Sequence, residues 1–144
     1  MRILWIVLLL TTNLLGCVKV QEGNFIKTPK KINQELAEDI AKQLVSIYPP
    51  ARTNFYMNTR FADNAFRASF INTLRQKGYG LNESSIPGVH LKAGNAYTLY
   101  YLLDETIKKR LYRVSIVVGK SSFSRAYKIK KDTLIPLGLW SFRE

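Results

Sequence analysis

The chain has 144 residues, 22 Lys and Arg against 10 Asp and Glu, and one cysteine, Cys17. That length suits a single domain with one core and argues against a second folded unit, and a lone cysteine excludes an intrachain disulfide, so apolar burial must hold the fold together. The formal charge of +12 favours acidic proteins, anionic headgroups or nucleic acid as partners while saying nothing about fold.

The first element is a leader. Arg2 precedes an apolar run from Ile3 to Leu10, too short for a bilayer-spanning helix of roughly 20 residues and the length of a signal-peptide core. Leu14, Leu15 and Gly16 then precede Cys17, a pattern that resembles the bacterial lipobox, at which the thiol is acylated and the preceding peptide removed. The expected domain organisation is a lipoprotein signal peptide at 1–16, a lipidated N-terminus and flexible linker at 17–30, and one periplasmic domain at 31–144. Cys17 would carry N-acyl and S-diacylglycerol lipid, palmitate among the acyl chains, as its only attached group. Val18 after the cysteine, rather than an acidic residue, favours the outer membrane. A plain secretory signal, or a buried N-terminal helix with Cys17 as a small core residue, is the bland alternative.

Between Val18 and Pro29 no periodicity is sustained, and Gly23, Asn24, Lys27 and Thr28 fit a linker. Ile32, Leu36, Ile40, Leu44 and Tyr48 recur every four residues, with Ala37, Ala41 and Ile47 widening the stripe and Glu35, Glu38, Asp39 and Lys42 facing away. This predicts a core-facing helix that Pro49-Pro50 stops. Alternation over 53–58 predicts a short strand. A second helix is expected from about Asp63 to Lys77, closed by Gly78 in the left-handed conformation. Strands are expected at 79–81, 97–104, 111–118 and 121–128, with Gly119-Lys120 as a two-residue hairpin turn. The segment 82–95 reads as a loop, and Pro136 and Gly138 predict an edge strand or irregular end over 133–140. The fold class expected is α+β, two helices packed on a small, mostly antiparallel sheet as a two-layer sandwich.

No catalytic or metal-binding constellation emerges. His90 is the only histidine, so neither a histidine–cysteine pair nor a multi-histidine cluster can form. Asp104 with Glu105, and Glu35, Glu38 and Asp39, read as solvated carboxylates rather than paired acids and bases. Gly119-Lys120-Ser121 imitates the end of a phosphate-binding loop, but Val114 stands where a glycine is needed and a strand follows. Asn82-Glu83-Ser84 matches a glycosylation triplet that a bacterial lipoprotein would contain by chance. Tyr97, Tyr100, Tyr101, Arg113, Arg125, Tyr127 and Lys128 interleave base and ring as single-strand binders do. They fall on both faces of their strands, which argues against a nucleic-acid groove.

The lipobox ending at Cys17, Ile47-Tyr48-Pro49-Pro50-Ala51-Arg52-Thr53-Asn54-Phe55, Leu74-Arg75-Gln76-Lys77-Gly78-Tyr79, Leu111-Tyr112-Arg113-Val114, Ser124-Arg125-Ala126-Tyr127, Pro136 and Gly138-Leu139-Trp140 together resemble the TrbH family of conjugal transfer lipoproteins. The resemblance implies an outer-membrane component of a conjugative type IV secretion (mating-pair formation) apparatus, anchored at the periplasmic face, with no catalytic residues and no cofactor beyond the lipid. Its implied partners are the membrane, through the anchor, and other secretion-channel subunits, in a homo- or hetero-oligomer. Contact is expected through strand edges and the 82–95 loop. Arg113, Arg125 and Tyr127 belong to the resemblance without an assigned role. The competing reading is an envelope enzyme or ligand carrier acting on cell-wall or outer-membrane components, which would need a polar cavity around His90 and Asp104.

Overall fold

The computed structural model describes residues 22–58, 64–84, 96–106 and 111–144. Cys17, with Leu14, Leu15 and Gly16, lies outside them, as do His90, Asp63 and most of the 82–95 loop.

Two helices form where the four-residue spacing places them. Helix α1, Lys30–Ile47, buries Ile32, Leu36, Ala37, Ile40, Ala41 and Leu44, a single stripe of the width a core-facing helix presents. A 3-10 turn at Pro50–Arg52 follows, because proline cannot supply the amide that would continue an α-helix. Helix α2, Ala65–Gln76, buries Phe66, Phe70 and Leu74. Its N-cap is Asn64, whose side chain accepts from the Arg67 amide at 2.8 Å, satisfying one of the amides that a helix start leaves unpaired. Gly78, at φ +90°, turns the chain out of α2 so that the Tyr79 amide reaches the Leu74 carbonyl at 3.1 Å. Only glycine adopts that conformation freely.

The strands are β1 Gly23–Asn24, β2 Asn54–Asn58, β3 Gly80–Ser84, β4 Ala96–Glu105, β5 Leu111–Val118, β6 Ser121–Lys130 and β7 Thr133–Arg143. They make one sheet in the order β3-β2-β4-β5-β6-β7, with β1 also paired to β4. The expectation of two helices on a small, mostly antiparallel sheet is corrected here. The sheet is the larger part of the fold and it is mixed. Pairs β1–β4, β2–β3 and β2–β4 are parallel, whereas β4–β5, β5–β6 and β6–β7 are antiparallel.

The physical reason lies in the connections. Helix α2 is the crossover between the parallel neighbours β2 and β3, a job no short turn can do. The segment 22–26, expected to be part of a linker, enters the sheet: Gly23 and Asn24 pair with Leu102 and Leu103, the Phe25 amide donates to the Leu103 carbonyl at 2.8 Å, and Ile26 is buried. Strand β4 is long enough to carry β2 along its first half and β1 along its second, on the same edge. The end expected to be an edge strand or irregular is an eleven-residue strand at the edge of the sheet.

The core lies between the helices and one sheet face. Phe55, Met57, Leu99, Tyr101, Leu103, Val114, Ile116 and Phe123 point inward at alternate positions, as strand pleating requires. Phe66, Phe70 and Tyr101 form an aromatic cluster with centroids 5.2–6.0 Å apart.

The β6–β7 hairpin turns through Lys131 and Asp132, both at positive φ, 49° and 57°. Left-handed backbone at non-glycine residues costs roughly 1 kcal/mol each, and Asn-Gly suits this turn geometry. Replacing Lys131-Asp132 with Asn-Gly is therefore expected to raise the unfolding free energy by about 1 kcal/mol in a urea titration. No gain would mean that the turn residues hold the hairpin by contacts of their own.

Candidate functional site

The strongest polar constellation among the described residues joins α1 to the last two strands. Asp39, a half-buried residue of the helix, accepts from the Tyr127 hydroxyl at 2.6 Å and from Arg125 Nη1 at 2.9 Å, both at Oδ2. The guanidinium is used twice more, donating from Nε and Nη2 to the Gly138 carbonyl at 3.1 and 2.8 Å. It also lies 5.8 Å from the Tyr127 ring centroid and 5.9 Å from that of Trp140, within cation–π range. Burial, and then the bond to Asp39, push the Tyr127 phenol well above its ordinary range.

The backbone explains why Arg125 is needed. Ala126 pairs with Leu137 and Ser124 with Ser141, so three residues, Gly138-Leu139-Trp140, stand opposite one, Arg125. Such a bulge leaves carbonyls without ladder partners, and the guanidinium supplies donors for that of Gly138. Gly138 itself sits at φ +74°, which explains a glycine there. The bulge turns Leu139 outward to 90% exposure.

Beside this clamp, an open groove of about 430 Å³ is lined by Glu35, Glu38, Asp39, Lys42, Val45 and Lys77. Glu35 and Asp39 were expected to face away from the core as solvated carboxylates. Instead Glu35 Oε2 accepts the Leu134 amide at 3.2 Å, and Asp39 holds Arg125 and Tyr127. A helix position flanking an apolar stripe reads the same whether water or a strand lies beyond it. That is why periodicity missed both roles.

The remaining candidates separate. Asp104 pairs with Arg113, its Oδ1 accepting from Nε at 3.0 Å, and the two lie on adjacent strands facing away from the helices, so Asp104 is no partner for Glu105 in acid–base work. Tyr101 and Tyr127 are buried, Tyr97 rests 5.5 Å from the Tyr48 ring, and Arg125 turns inward, which dismantles the basic-aromatic groove. Elsewhere the Tyr79 hydroxyl donates to the Tyr48 carbonyl at 2.7 Å, its pKa pushed up to about 12 by burial.

Among the described residues no cluster of His, Cys, Asp and Glu is placed to hold a metal ion, and no helix is long and apolar enough to cross a membrane.

If Asp39 serves both donors at once, Asp39→Asn and Tyr127→Phe should each lower the unfolding free energy by about 1–3 kcal/mol, the range for bonds to a charged acceptor. The double variant should cost less than the sum by at least about 0.5 kcal/mol. Strict additivity in the denaturation cycle would show that the two act separately.

A family model described as conjugal transfer protein TrbH matches residues 19–144. No curated protein and no solved structure matches the chain.

Proposed function

The chain belongs to the TrbH family of conjugal transfer proteins, and from that premise we propose that it is an outer-membrane lipoprotein that acts as a scaffold in the mating-pair formation apparatus, a conjugative type IV secretion channel. In this reading Cys17 carries N-acyl and diacylglycerol groups after removal of residues 1–16, and the folded body faces the periplasm. Several acyl chains on one residue anchor durably where one alone is marginal.

The observation that carries the scaffold role is the Leu139 bulge. A large apolar side chain at 90% exposure, on a bulge whose preceding carbonyl is held by Arg125, is a preorganised anchor of the kind that buries into a partner's pocket. Edge pairing along the first half of β7 is disfavoured: Glu35 occupies the Leu134 amide, and Pro136 has none to offer. The partners are other components of the transfer apparatus, met through the second half of β7. The polar groups best placed for chemistry, Asp39, Arg125 and Tyr127, are consumed in holding the fold, which favours holding neighbours over transforming a substrate.

Cys17→Ser should abolish acylation, read by intact mass, and remove the protein from outer-membrane fractions with loss of transfer. A Ser variant that stays in the outer membrane and supports transfer would refute the anchor. Leu139→Asp should change stability by no more than about 0.5 kcal/mol, as exposed substitutions do, yet lower transfer frequency at least tenfold. Wild-type transfer from a Leu139→Asp strain would remove the bulge from the interaction surface.

A further inference from the structure

The weakest-held part of the sheet is β1, and it contains a conflict. Its ladder is two residues long, supplemented by the Phe25 amide on Leu103, the Asn24 side chain accepting the Ile26 amide at 3.0 Å, and the buried Ile26 side chain. Immediately before it, Glu22 is 4% exposed, and neither carboxylate oxygen has a hydrogen-bond partner. Arg67 of α2 is 5% exposed with both terminal nitrogens equally without hydrogen bonds. Arg67 lies 3.7 Å from Glu83 of β3, close enough for an ion pair. The other carboxylates near this sheet edge are Asp104, held by Arg113, and the exposed Glu105, both toward the far end of β4. A buried carboxylate with no donor is tolerable only when neutral.

We propose that β1 is a releasable strap, closed while Glu22 is protonated and opened when that carboxylate ionises, so that residues 22–27 leave the sheet.

When β1 lifts, the next fixed point is Thr28, whose hydroxyl donates to Asn33 and whose carbonyl accepts from Asn33 Nδ2 at 3.2 Å, so the released segment is 22–27.

The direction follows from burial. Desolvation raises Glu22 from 4.5 to about 7, the Arg67 charge opposing it. The docked state therefore binds the extra proton. Docking is strongest below about pH 4.5, weakens as the pH rises, and has lost this contribution above about 7. Between pH 5 and pH 8 the docking equilibrium should fall on the order of fiftyfold. The lifted strap also bares the β4 edge at Leu102 and Leu103 and removes the cover over Ile26's site.

Hydrogen exchange by mass spectrometry on the chain isolated from membranes tests this. Protection of residues 22–27, corrected for intrinsic exchange, should drop between pH 5 and pH 8, while residues 36–44 of α1 stay constant. Glu22→Gln, which keeps shape and cannot ionise, should hold protection high and flat. Ile26→Ala should weaken protection at both pH values and keep the slope, showing that a mere loss of packing looks different. Equal corrected protection at both pH values in the native chain, or a Glu22→Gln variant that keeps the full slope, overturns the proposal.

Discussion

One guanidinium sets the relation between the helical layer and the far half of the sheet. Arg125 reaches Asp39 on α1 and the Gly138 carbonyl on β7, so helix, penultimate strand and last strand share one charge. Its partners are chosen by geometry rather than by strength. A lysine could neutralise Asp39, but it offers a single point charge, and only a planar fork can serve the carboxylate and the carbonyl while lying against two rings. The clamp also explains how the sheet tolerates three residues opposite one without leaving the Gly138 carbonyl stranded.

Strand β4 has the complementary task of joining two kinds of pairing. Its inner edge receives β5 in a hairpin-like antiparallel ladder, and its outer edge receives two separate segments in parallel. Parallel neighbours demand crossovers, and α2 supplies the one between β2 and β3, while α1 joins β1 to β2, which lie along the same edge of β4 without pairing to each other. Both helices therefore fall on one side of the sheet. The opposite face keeps half-buried Tyr100, Leu102, Ser115 and Val117 with the exposed Arg113–Asp104 pair, a pair that contributes little because water screens it.

Much of the local structure was legible. The four-residue spacing of Ile32, Leu36, Ile40 and Leu44 located α1, the β-branched run 111–118 coincided with β5, and Gly119 marked the hairpin. What the pattern did not carry was partnership. Nothing in Gly23-Asn24 distinguishes a linker from a two-residue strand, because such a strand is specified by the edge it meets rather than by its own side chains. Alternation likewise reads phase but not direction, so the parallel half of the sheet was invisible. The roles of Arg125 and Tyr127 were equally hidden, since Asp39 lies 86 and 88 positions away in the chain. Cys17 is the reverse case: the sequence marks it as the expected lipid site, and it lies outside the described residues.

Two margins of the fold are managed by opposite means. At β7 the edge is guarded: a carboxylate from α1 takes one outward amide, a proline deletes another, and a bulge breaks the pairing rhythm beyond them. Together these discourage indiscriminate strand addition while still presenting Leu139 as a discrete contact. At β1 the edge of β4 is guarded only by a short segment with an unsatisfied carboxylate beneath it. A permanent cover would be expected to place an apolar or hydrogen-bonded residue at position 22, as this core does at most of its buried positions. A charge-capable residue there weakens the cover in a way that depends on its protonation, and that dependence is what an immovable strand would have no use for.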